Sequence, residues 1–300
     1  MSKRARMVRT SAAGMLAACL GAMLAPAARG QSDVATPPTV RLQPPSAQEG
    51  APADVQDATD LAKRLQNPIA DLISVPFQNN VNFRFGPNRG TQDILNIQPV
   101  IPIHLGGDWN LITRTILPLV WQPSLQPAQT VPFGLGPTTF SAFLSPRRSF
   151  GGWLVGAGPV IQVPTITSGT LGSSVWGAGP AVVGVHTGGA FVYGALVNNV
   201  FSLGGTSGPA GTRYNTFTFN PFLNYNFGGG WFVGTVPIIT ANWLTGGSKA
   251  WTLPVGAQVG RLIKVGGKLP VNMLVGAYYN VLRPQFGSTW QLRTQIAFVF

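Results

Sequence analysis

The stretch from Ser288 to Phe300 constrains the fold more than any other part of the chain. It reads S-T-W-Q-L-R-T-Q-I-A-F-V-F and alternates with a period of two residues. In an extended strand, alternate side chains point to opposite faces. One face would carry Trp290, Leu292, Ile296, Phe298 and Phe300, and the other Gln291, Arg293 and Gln295. The pattern predicts a strand with water on one side and either lipid or a second sheet on the other.

Composition favours lipid over a second sheet. Charged residues make up 9% of the 300 residues, whereas soluble domains contain about 25%. Beyond the amino terminus, Asn, Gln, Thr, Gly or Pro interrupts every apolar run before it reaches the roughly 20 residues of a spanning helix. Because backbone groups in lipid must be paired within the protein, a closed barrel is the remaining way to cross a membrane. We therefore predict an all-β protein, a transmembrane antiparallel β-barrel preceded by a short periplasmic helix.

Residues 72–300 contain about twelve strand-like segments, and an even number is what a single-chain bacterial barrel requires. They lie near 74–86, 92–105, 108–121, 138–146, 150–163, 173–187, 190–203, 214–227, 230–245, 249–264, 267–282 and 287–300. The connections at 106–108 and 266–267 are short and glycine-rich, whereas those at 122–137 and 204–213 are long. Since barrels have short periplasmic turns and longer outer loops, both termini should lie on the periplasmic side.

The tryptophans fall at the ends of these segments. Trp109, Trp153 and Trp231 would form an aromatic girdle on the periplasmic side, and Trp121, Trp243, Trp251 and Trp290 a second girdle on the outer side. At a rise of about 3.3 Å per residue and a tilt of about 40°, the girdles would stand about 30 Å apart. This spacing brackets an apolar band of roughly 25 Å and favours a membrane barrel over a soluble sandwich.

The amino terminus has the pattern of a secretory signal peptide, with basic residues before an apolar run from Ala12 to Leu24 and small residues after it. We assign 1–30 to the signal peptide, 31–71 to a Pro-rich periplasmic leader with a short helix, and 72–300 to the outer-membrane barrel. Cleavage near Ala27 or Gly30 competes with lipidation at Cys19. The helix, expected from Asp54 to Gln66, would rest at the periplasmic mouth or plug the barrel.

Several stretches are similar to a known bacterial family. They are NPIADLISVPFQNN at 67–80, LNIQPVIP at 95–102, DWNLITR at 108–114, the twin GAGP motifs at 156–159 and 177–180, and YGALVN at 193–198. They resemble the outer-membrane family called MetA-pathway of phenol degradation, whose members are also labelled transporter or neuromedin U. The resemblance covers nearly everything after Asp57. It implies a Gram-negative outer-membrane barrel, an association with aromatic catabolism and an uptake role, with no catalytic residues.

The terminal strand also looks like the sorting signal of bacterial outer-membrane barrels. The resemblance implies that the barrel-assembly machinery recognises this strand, which ends on Phe300. The same strand would close the barrel against the first one.

The inward faces of the segments are rich in Asn, Gln, Thr and Gly, which predicts a hydrated wall suited to the passage of solutes. Arg84, Arg114 and Arg293 fall in inward phase, as do Asn220 and Asn224, and we interpret them as pore-lining. Arg84 and Arg293 should lie at similar heights across the closure. The arginines would select anionic solutes or aromatic carboxylates, or would instead brace the wall through hydrogen bonds.

The sequence therefore predicts an outer-membrane channel or transporter for the uptake of small solutes, with aromatic or anionic compounds as candidates. A barrel-embedded hydrolase or a non-conducting structural barrel is the alternative. A catalytic His104 could meet only Asp108, across a tight turn, and His186 has no acid on a nearby strand because none follows Asp108. One Cys and two His do not form a metal-ligand pattern, and no cofactor is expected.

The distribution of basic residues bears on the possible partners. They are scattered singly along the barrel segments, which argues against nucleic-acid binding. In the outer loops, Arg213, Lys249 and Arg283 could bind the phosphates of lipopolysaccharide, or could be ordinary solvated charges.

Deleting Phe300 should impair assembly of the barrel in the outer membrane, because the deletion removes the aromatic terminus of the strand that resembles the sorting signal. The yield of barrel whose gel mobility changes on heating measures assembly. Phe300→Tyr keeps an aromatic terminus and is the matched control, expected to assemble normally. A normal yield after the deletion would contradict the assigned role of the terminal strand.

Overall fold

The computed structural model describes residues 53–125, 133–205 and 212–300. The assigned signal peptide and the leader up to residue 52 lie outside these ranges. The described residues form a closed antiparallel β-barrel of twelve strands preceded by one short helix, which confirms the predicted fold class. Among the described helices, none has the length and apolar character needed to cross a membrane.

The elements follow one another in simple order. Helix α1 (Ala53–Leu65) lies close to the predicted position, and the strands are β1 (Ser74–Phe85), β2 (Gly90–Ile97 and Val100–His104), β3 (Trp109–Trp121), β4 (Phe133–Leu135 and Thr138–Pro146), β5 (Trp153–Val163), β6 (Gly177–Gly188), β7 (Phe191–Ser202), β8 (Asn215–Asn226), β9 (Trp231–Thr235 and Ile239–Asn242), β10 (Trp251–Val265), β11 (Leu269–Leu282) and β12 (Trp290–Val299). A short 3₁₀ turn, Gly247–Ala250, precedes β10.

Each strand pairs with its neighbours in the chain, and β12 closes the barrel against β1. The closing register runs from Ser74 opposite Val299 to Phe83 opposite Trp290. Along β12 the two faces separate as the sequence predicts, since Ile296 is 47% exposed and Arg293 only 3%. The exposed face of this barrel is therefore the apolar one, as a lipid environment requires.

The two ends of the barrel differ in their connections. At one end, glycines with positive φ form the turns, as at Gly106 (46°) and Gly107 (64°) before β3 and Gly266 (61°) and Gly267 (71°) before β11. Paired left-handed residues give the tight turns that match strand twist, and glycine adopts them without a Cβ clash. At the opposite end, the strand ends are further apart in sequence, with 11 residues between β3 and β4, 13 between β5 and β6, and 12 between β7 and β8. We refer to these as the short-turn end and the long-loop end.

Three strands are each interrupted at a proline. The interruptions fall at Gln98-Pro99 in β2, Gly136-Pro137 in β4 and 236–238, which includes Pro237, in β9. A proline cannot donate to the ladder, and at these three positions the strand is broken, although other prolines such as Pro159 and Pro180 lie within continuous strands. The freed backbone groups find other partners: the Gln98 amide donates to the Pro76 carbonyl at 2.8 Å, and the Gly136 amide to the Pro118 carbonyl at 2.9 Å.

One part of the barrel interior is packed with apolar side chains, which corrects the prediction of a hydrated wall all round. The cluster draws on β3 to β8 and contains Ile69, Ile112, Phe143, Val160, Ala181, Val183, Val185, Val192, Leu196, Val200 and Phe222. Several of these strands are apolar on both faces, so alternation could not assign their phase. In β6, for example, Val182 is 50% exposed and Val183 4%.

The twin Gly-Ala-Gly-Pro motifs lie side by side in β5 and β6, where Pro159 pairs with Pro180. In each motif the glycine before the proline contacts the backbone of the neighbour on its other side. A Cβ at Gly158 would overlap the carbonyl oxygen of Ala142, and one at Gly179 the carbonyl oxygen of Asn199. Both positions therefore require glycine because of close approach between strands.

Gly158→Ala should destabilise the barrel by about 1–3 kcal/mol, since the added methyl must displace a backbone carbonyl of β4. Gly184→Ala is the matched control, because the nearest atom to a Cβ there is 3.8 Å away on Trp153. The measurement is the urea midpoint of unfolding in detergent micelles. Equal midpoints for the two variants would show that the strand spacing at Gly158 is not as tight as described.

Candidate functional site

A polar cavity occupies the part of the barrel interior beside the apolar cluster. It has a volume of about 240 Å³. Polar side chains on its wall are Gln78, Asn96, Gln98, Arg114, Asn220, Asn224, Gln258, Asn272, Arg293 and Gln295, and apolar ones include Ile116, Phe222, Phe232, Ile238 and Leu274. The cavity is therefore amphipathic, with amides and two guanidinium groups facing aliphatic and aromatic surface.

Arg293 is the most constrained charge of the cavity. Its Nε donates to Asn80 Oδ1 at 3.2 Å, its Nη1 to the Val236 carbonyl at 2.8 Å, and its Nη2 to Gln291 Oε1 at 3.1 Å. The guanidinium carbon also lies 4.7 Å from the ring centroid of Tyr278. Each guanidinium nitrogen thus has a neutral acceptor, and the plane faces an aromatic ring, an arrangement suited to a partly desolvated cation.

The interruption in β9 brings backbone into this site. The Val236 amide donates to Tyr278 Oη at 3.2 Å, while Asn220 Nδ2 donates to the Pro237 carbonyl at 2.8 Å. Tyr278 lies on β11 and Arg293 on β12, neither of which adjoins β9, so residues 236–238 must bend into the lumen to meet them. Tyr278 is fully buried and donates its own proton to Gln258 Oε1 at 3.1 Å. The bend narrows the lumen beside Arg293.

Arg114 supplies the second charge. Its Nη2 donates to Gln98 Oε1 at 2.5 Å, and Gln98 sits at the interruption in β2. None of the described residues that line the cavity is acidic. Both guanidinium groups are held by neutral oxygens, so their positive charge is not cancelled by a carboxylate on the cavity wall.

Arg84 lies apart from these two arginines, which corrects the expectation that it shares a level with Arg293. The register places Asn80 opposite Arg293, so Arg84 is four residues further along β1, about 13 Å at strand rise. It occupies a bulge between Phe83 and Phe85, with φ of 58°, and is exposed at the long-loop end. The bulge breaks the alternation on which the inward phase of Arg84 was based. Asn220 and Asn224 do line the cavity.

The short-turn end of the cavity is closed by the segment between α1 and β1. Leu65, Gln66, Asn67, Pro68, Ala70 and Leu72 line the cavity there. Ile69 is 1% exposed and packs within the apolar cluster. Gln66 Nε2 donates to Asn226 Oδ1 at 2.8 Å, and Lys264 pairs with Asp57 of α1. Of the two expected positions for the helix, α1 takes the one at the mouth, while residues 66–72 enter the lumen.

Both histidines lie among groups that the sequence did not assign to them. His104 Nε2 is 2.9 Å from Asp71 Oδ1. Asp108, the acid that the sequence left within its reach, instead lies 3.9 Å from Arg148 Nε. His186 packs between Trp153 and Tyr193, with ring centroids 5.3 and 4.8 Å away. No cluster of three or more metal-ligating side chains occurs in the part of the chain that is described.

The tryptophans assigned to the girdles lie at strand ends. Trp109, Trp153 and Trp231 begin strands at the short-turn end, whereas Trp121, Trp243, Trp251 and Trp290 lie at the long-loop end. All except Trp251 are 39–48% exposed. Trp251 instead packs against Trp243, with ring centroids 5.6 Å apart.

Sequence reasoning missed the residues that shape the cavity from other strands. Tyr278 and Gln258 lie on strands for which the sequence analysis singled out no inward residue, and Val236 lies in an apolar run. Pro237 within that run was the available signal, although a weak one, because a proline can interrupt a ladder while Pro159 and Pro180 lie in continuous strands. Ile69 carried no signal, since one isoleucine in a short linker is compatible with burial or exposure.

The comparisons with known proteins bear on the fold. No protein-family model and no curated protein matches the chain. The solved structure of the COG4313 outer membrane channel from Pseudomonas putida F1 is similar, with a TM-score of 0.55, 16% identity, and coverage of 76% of this chain and 94% of that one. The NanC porin gives a TM-score of 0.48 at 7% identity, covering 76% and 98% of the two chains. The outer membrane phospholipase of Salmonella typhi gives 0.40 at 16% identity, covering 81% and 96%.

At 16% identity, the match to the channel of Pseudomonas putida F1 is evidence for the fold alone. The resemblance of the sequence to the MetA-pathway family therefore stays a hypothesis. The chain has the fold of a twelve-stranded outer-membrane β-barrel.

Proposed function

We propose that this protein is an outer-membrane channel for the uptake of small solutes, with a preference for anions such as aromatic carboxylates. The observation that carries the proposal is the cavity inside the barrel, which contains Arg114 and Arg293 and is lined by no acidic residue among those described. A carboxylate would be attracted by the uncancelled charge. The apolar side chains on the same wall, among them Phe222 and Phe232, suit an aromatic ring.

The proposal includes the cellular setting. A cleaved signal peptide would deliver the chain to the periplasm, and the terminal strand would be recognised by the barrel-assembly machinery. The exposed apolar face of the strands and the tryptophans at both ends support insertion into the outer membrane. The resemblance to the MetA-pathway family supports aromatic compounds as the solutes.

Planar-bilayer recording of the purified protein separates the candidate functions. A channel gives a conductance that the solute changes, and a structural barrel gives none. Lipid hydrolysis without conductance would favour the barrel hydrolase. The position of His104 at the short-turn end, paired with Asp71 outside the polar cavity, favours the channel.

Anion preference should depend on the charge of Arg114 and Arg293. Under a salt gradient, the zero-current voltage should indicate anion preference, and changing Arg114 and Arg293 together to Gln should reduce it. The preference should also weaken at 1 M salt, where the Debye length falls to about 3 Å.

A charge-preserving variant distinguishes two roles of Arg293, attraction of anions by its positive charge and bracing of the barrel wall by its hydrogen bonds. Arg293→Lys keeps the positive charge but cannot donate to all three acceptors of Arg293. It should retain the full anion preference, whereas Arg293→Gln, with Arg114 still in place, should weaken it. Arg84→Gln, which removes a charge at the long-loop end, should have a smaller effect than Arg114→Gln. Cation preference in the wild-type protein, or loss of preference in Arg293→Lys, would refute the electrostatic explanation.

Solute passage should require displacement of residues 66–72 from the short-turn mouth. Ile69→Ala removes the buried anchor of this segment and should cost about 2–5 kcal/mol of its attachment. We expect larger or more frequent openings in single-channel records. Ile73→Ala, at a position 43% exposed, is the matched control and should behave like the wild-type protein. Identical records for Ile69→Ala and the wild-type protein would show that this segment does not limit conduction.

A further inference from the structure

Two connections meet at the long-loop end of the closing seam. The β1–β2 hairpin at 86–89 and the β11–β12 connection at 283–289 are joined by the Gly86 amide, which donates to the Phe286 carbonyl at 2.9 Å. The Thr289 amide donates to the Phe83 carbonyl, also at 2.9 Å. Arg84 lies two residues before the hairpin, Arg89 is its last residue and Arg283 begins the other connection, so the joined connections bring three arginines to one side of the barrel.

The backbone at two of these arginines is unusual. Arg84 has φ of 58° and Arg89 has φ of 53°, and they are the non-glycine residues with positive φ in the described part of the chain. A left-handed conformation is unfavourable for a side chain with a Cβ, and glycine or asparagine normally occupies it. Strain of this kind concentrates at functional positions. Here arginine, rather than glycine, occupies both left-handed positions.

The arginines have no carboxylate partner in the described ion pairs, which involve Lys63, His104, Arg148 and Lys264. Arg84 and Arg89 are exposed, and Arg283 is half-buried. The nearest acid in the sequence, Asp93 of β2, is placed by the register opposite Val81 and Trp121, away from the hairpin tip. The positive charge of the three arginines is therefore available to an external anion.

Aromatic side chains lie next to the arginines on the exposed face of the strands. Phe83 pairs with Trp290 across the seam, and Trp290 packs edge-on against Tyr279 with ring centroids 4.8 Å apart. The exposed fractions are 38% for Phe83, 48% for Trp290 and 38% for Tyr279. The surface is thus amphipathic, with cations at the end of the barrel and aromatic rings along its wall.

We propose that this surface, the arginine rim of Arg84, Arg89 and Arg283 together with Phe83, Tyr279 and Trp290, binds lipopolysaccharide. Guanidinium groups bind phosphate through paired, charge-assisted hydrogen bonds, which would hold the phosphates of the glycolipid. Its acyl chains would lie along the aromatic wall, as lipid does at interfacial aromatic residues. The proposal rests on the outer-membrane location proposed above and is independent of conduction.

Of the loop residues that the sequence offered as candidates for binding lipopolysaccharide phosphates, only Arg283 belongs to the arginine rim. Arg213 and Lys249 lie in the connections after β7 and β9, away from the closing seam, and Arg213 Nε donates to the Gly205 carbonyl at 3.3 Å. Of the three loop residues that the sequence indicated, Arg283 is the one whose connection is hydrogen-bonded to the hairpin region that carries Arg84 and Arg89. Its Nη1 donates to the Asn280 carbonyl at 3.4 Å.

The test measures binding of purified full-length protein to bisphosphorylated lipid A by native mass spectrometry. The variant Arg84→Asn, Arg89→Asn, Arg283→Gln should bind about tenfold or more weakly. Asparagine tolerates positive φ, so this variant should fold, which heat-dependent gel mobility verifies. The control Arg147→Gln, Arg148→Gln, Lys268→Gln removes the same number of charges from exposed positions at the short-turn end and should bind like the wild-type protein.

Two further lipids identify what is bound. Dephosphorylated lipid A, which has the acyl chains without the phosphates, should bind about tenfold or more weakly to the wild-type protein, and phosphatidylglycerol should not replace bisphosphorylated lipid A. Equal binding of any of these lipids, equal losses in the rim variant and its control, or an undiminished rim variant would overturn the proposal. Fractionation of cell membranes tests the outer-membrane location separately, so the failure of that premise is distinguishable from failure of the binding site.

Discussion

The hydrogen bonding between β1 and β12 is the interaction on which the rest of the structure depends. In lipid, a sheet edge would leave backbone groups without partners, at a cost of several kcal/mol per group. The pairing of Ser74 with Val299 through Phe83 with Trp290 removes both edges at once. Closure also fixes what each side chain of β12 faces, so Arg293 enters the lumen because Trp290 and Ile296 take the exposed wall. Closure therefore requires both the first and the last strand of the barrel.

The same demand for satisfied backbone explains the lumen. Prolines interrupt β2 and β9, and the freed groups must be paired inside the barrel. Tyr278, Asn220 and Arg293 supply partners to residues 236–237, while the side chain of Gln98, at the other interruption, meets Arg114. The bracing and solute-selecting interpretations of the arginines are therefore compatible. A guanidinium held by neutral oxygens keeps its full charge, and that charge remains in a cavity with no acidic lining residue among those described.

The two ends of the barrel present different chemistry. At the short-turn end, Ile69 is buried within the apolar cluster and Gln66 meets Asn226, which closes the mouth with the protein's own chain. At the long-loop end, arginines without carboxylate partners in the described ion pairs lie above exposed aromatic rings. The short-turn end is thus held by packing, hydrogen bonds and ion pairs such as that of Lys264 with Asp57, and the long-loop end carries charge available to an anionic partner. This asymmetry fits a barrel inserted in one orientation.

The sequence by itself determined the fold class, the twelve strands and the faces of β12, because period-two alternation, low charge and glycine turns each report local geometry. It also identified Arg114, Arg293, Asn220 and Asn224, which line the cavity. Only the tertiary structure decided the rest. In a strand that is apolar on both faces, such as β6, alternation does not show which residues point inward. The packed part of the interior could therefore not be predicted from the sequence. Two irregularities, the bulge that places Arg84 at the rim and the inward bend at Val236, arise from contacts between strands. The burial of Ile69 depends on side chains that are far away in the sequence. Contacts of this kind are set by closure, which no single stretch encodes.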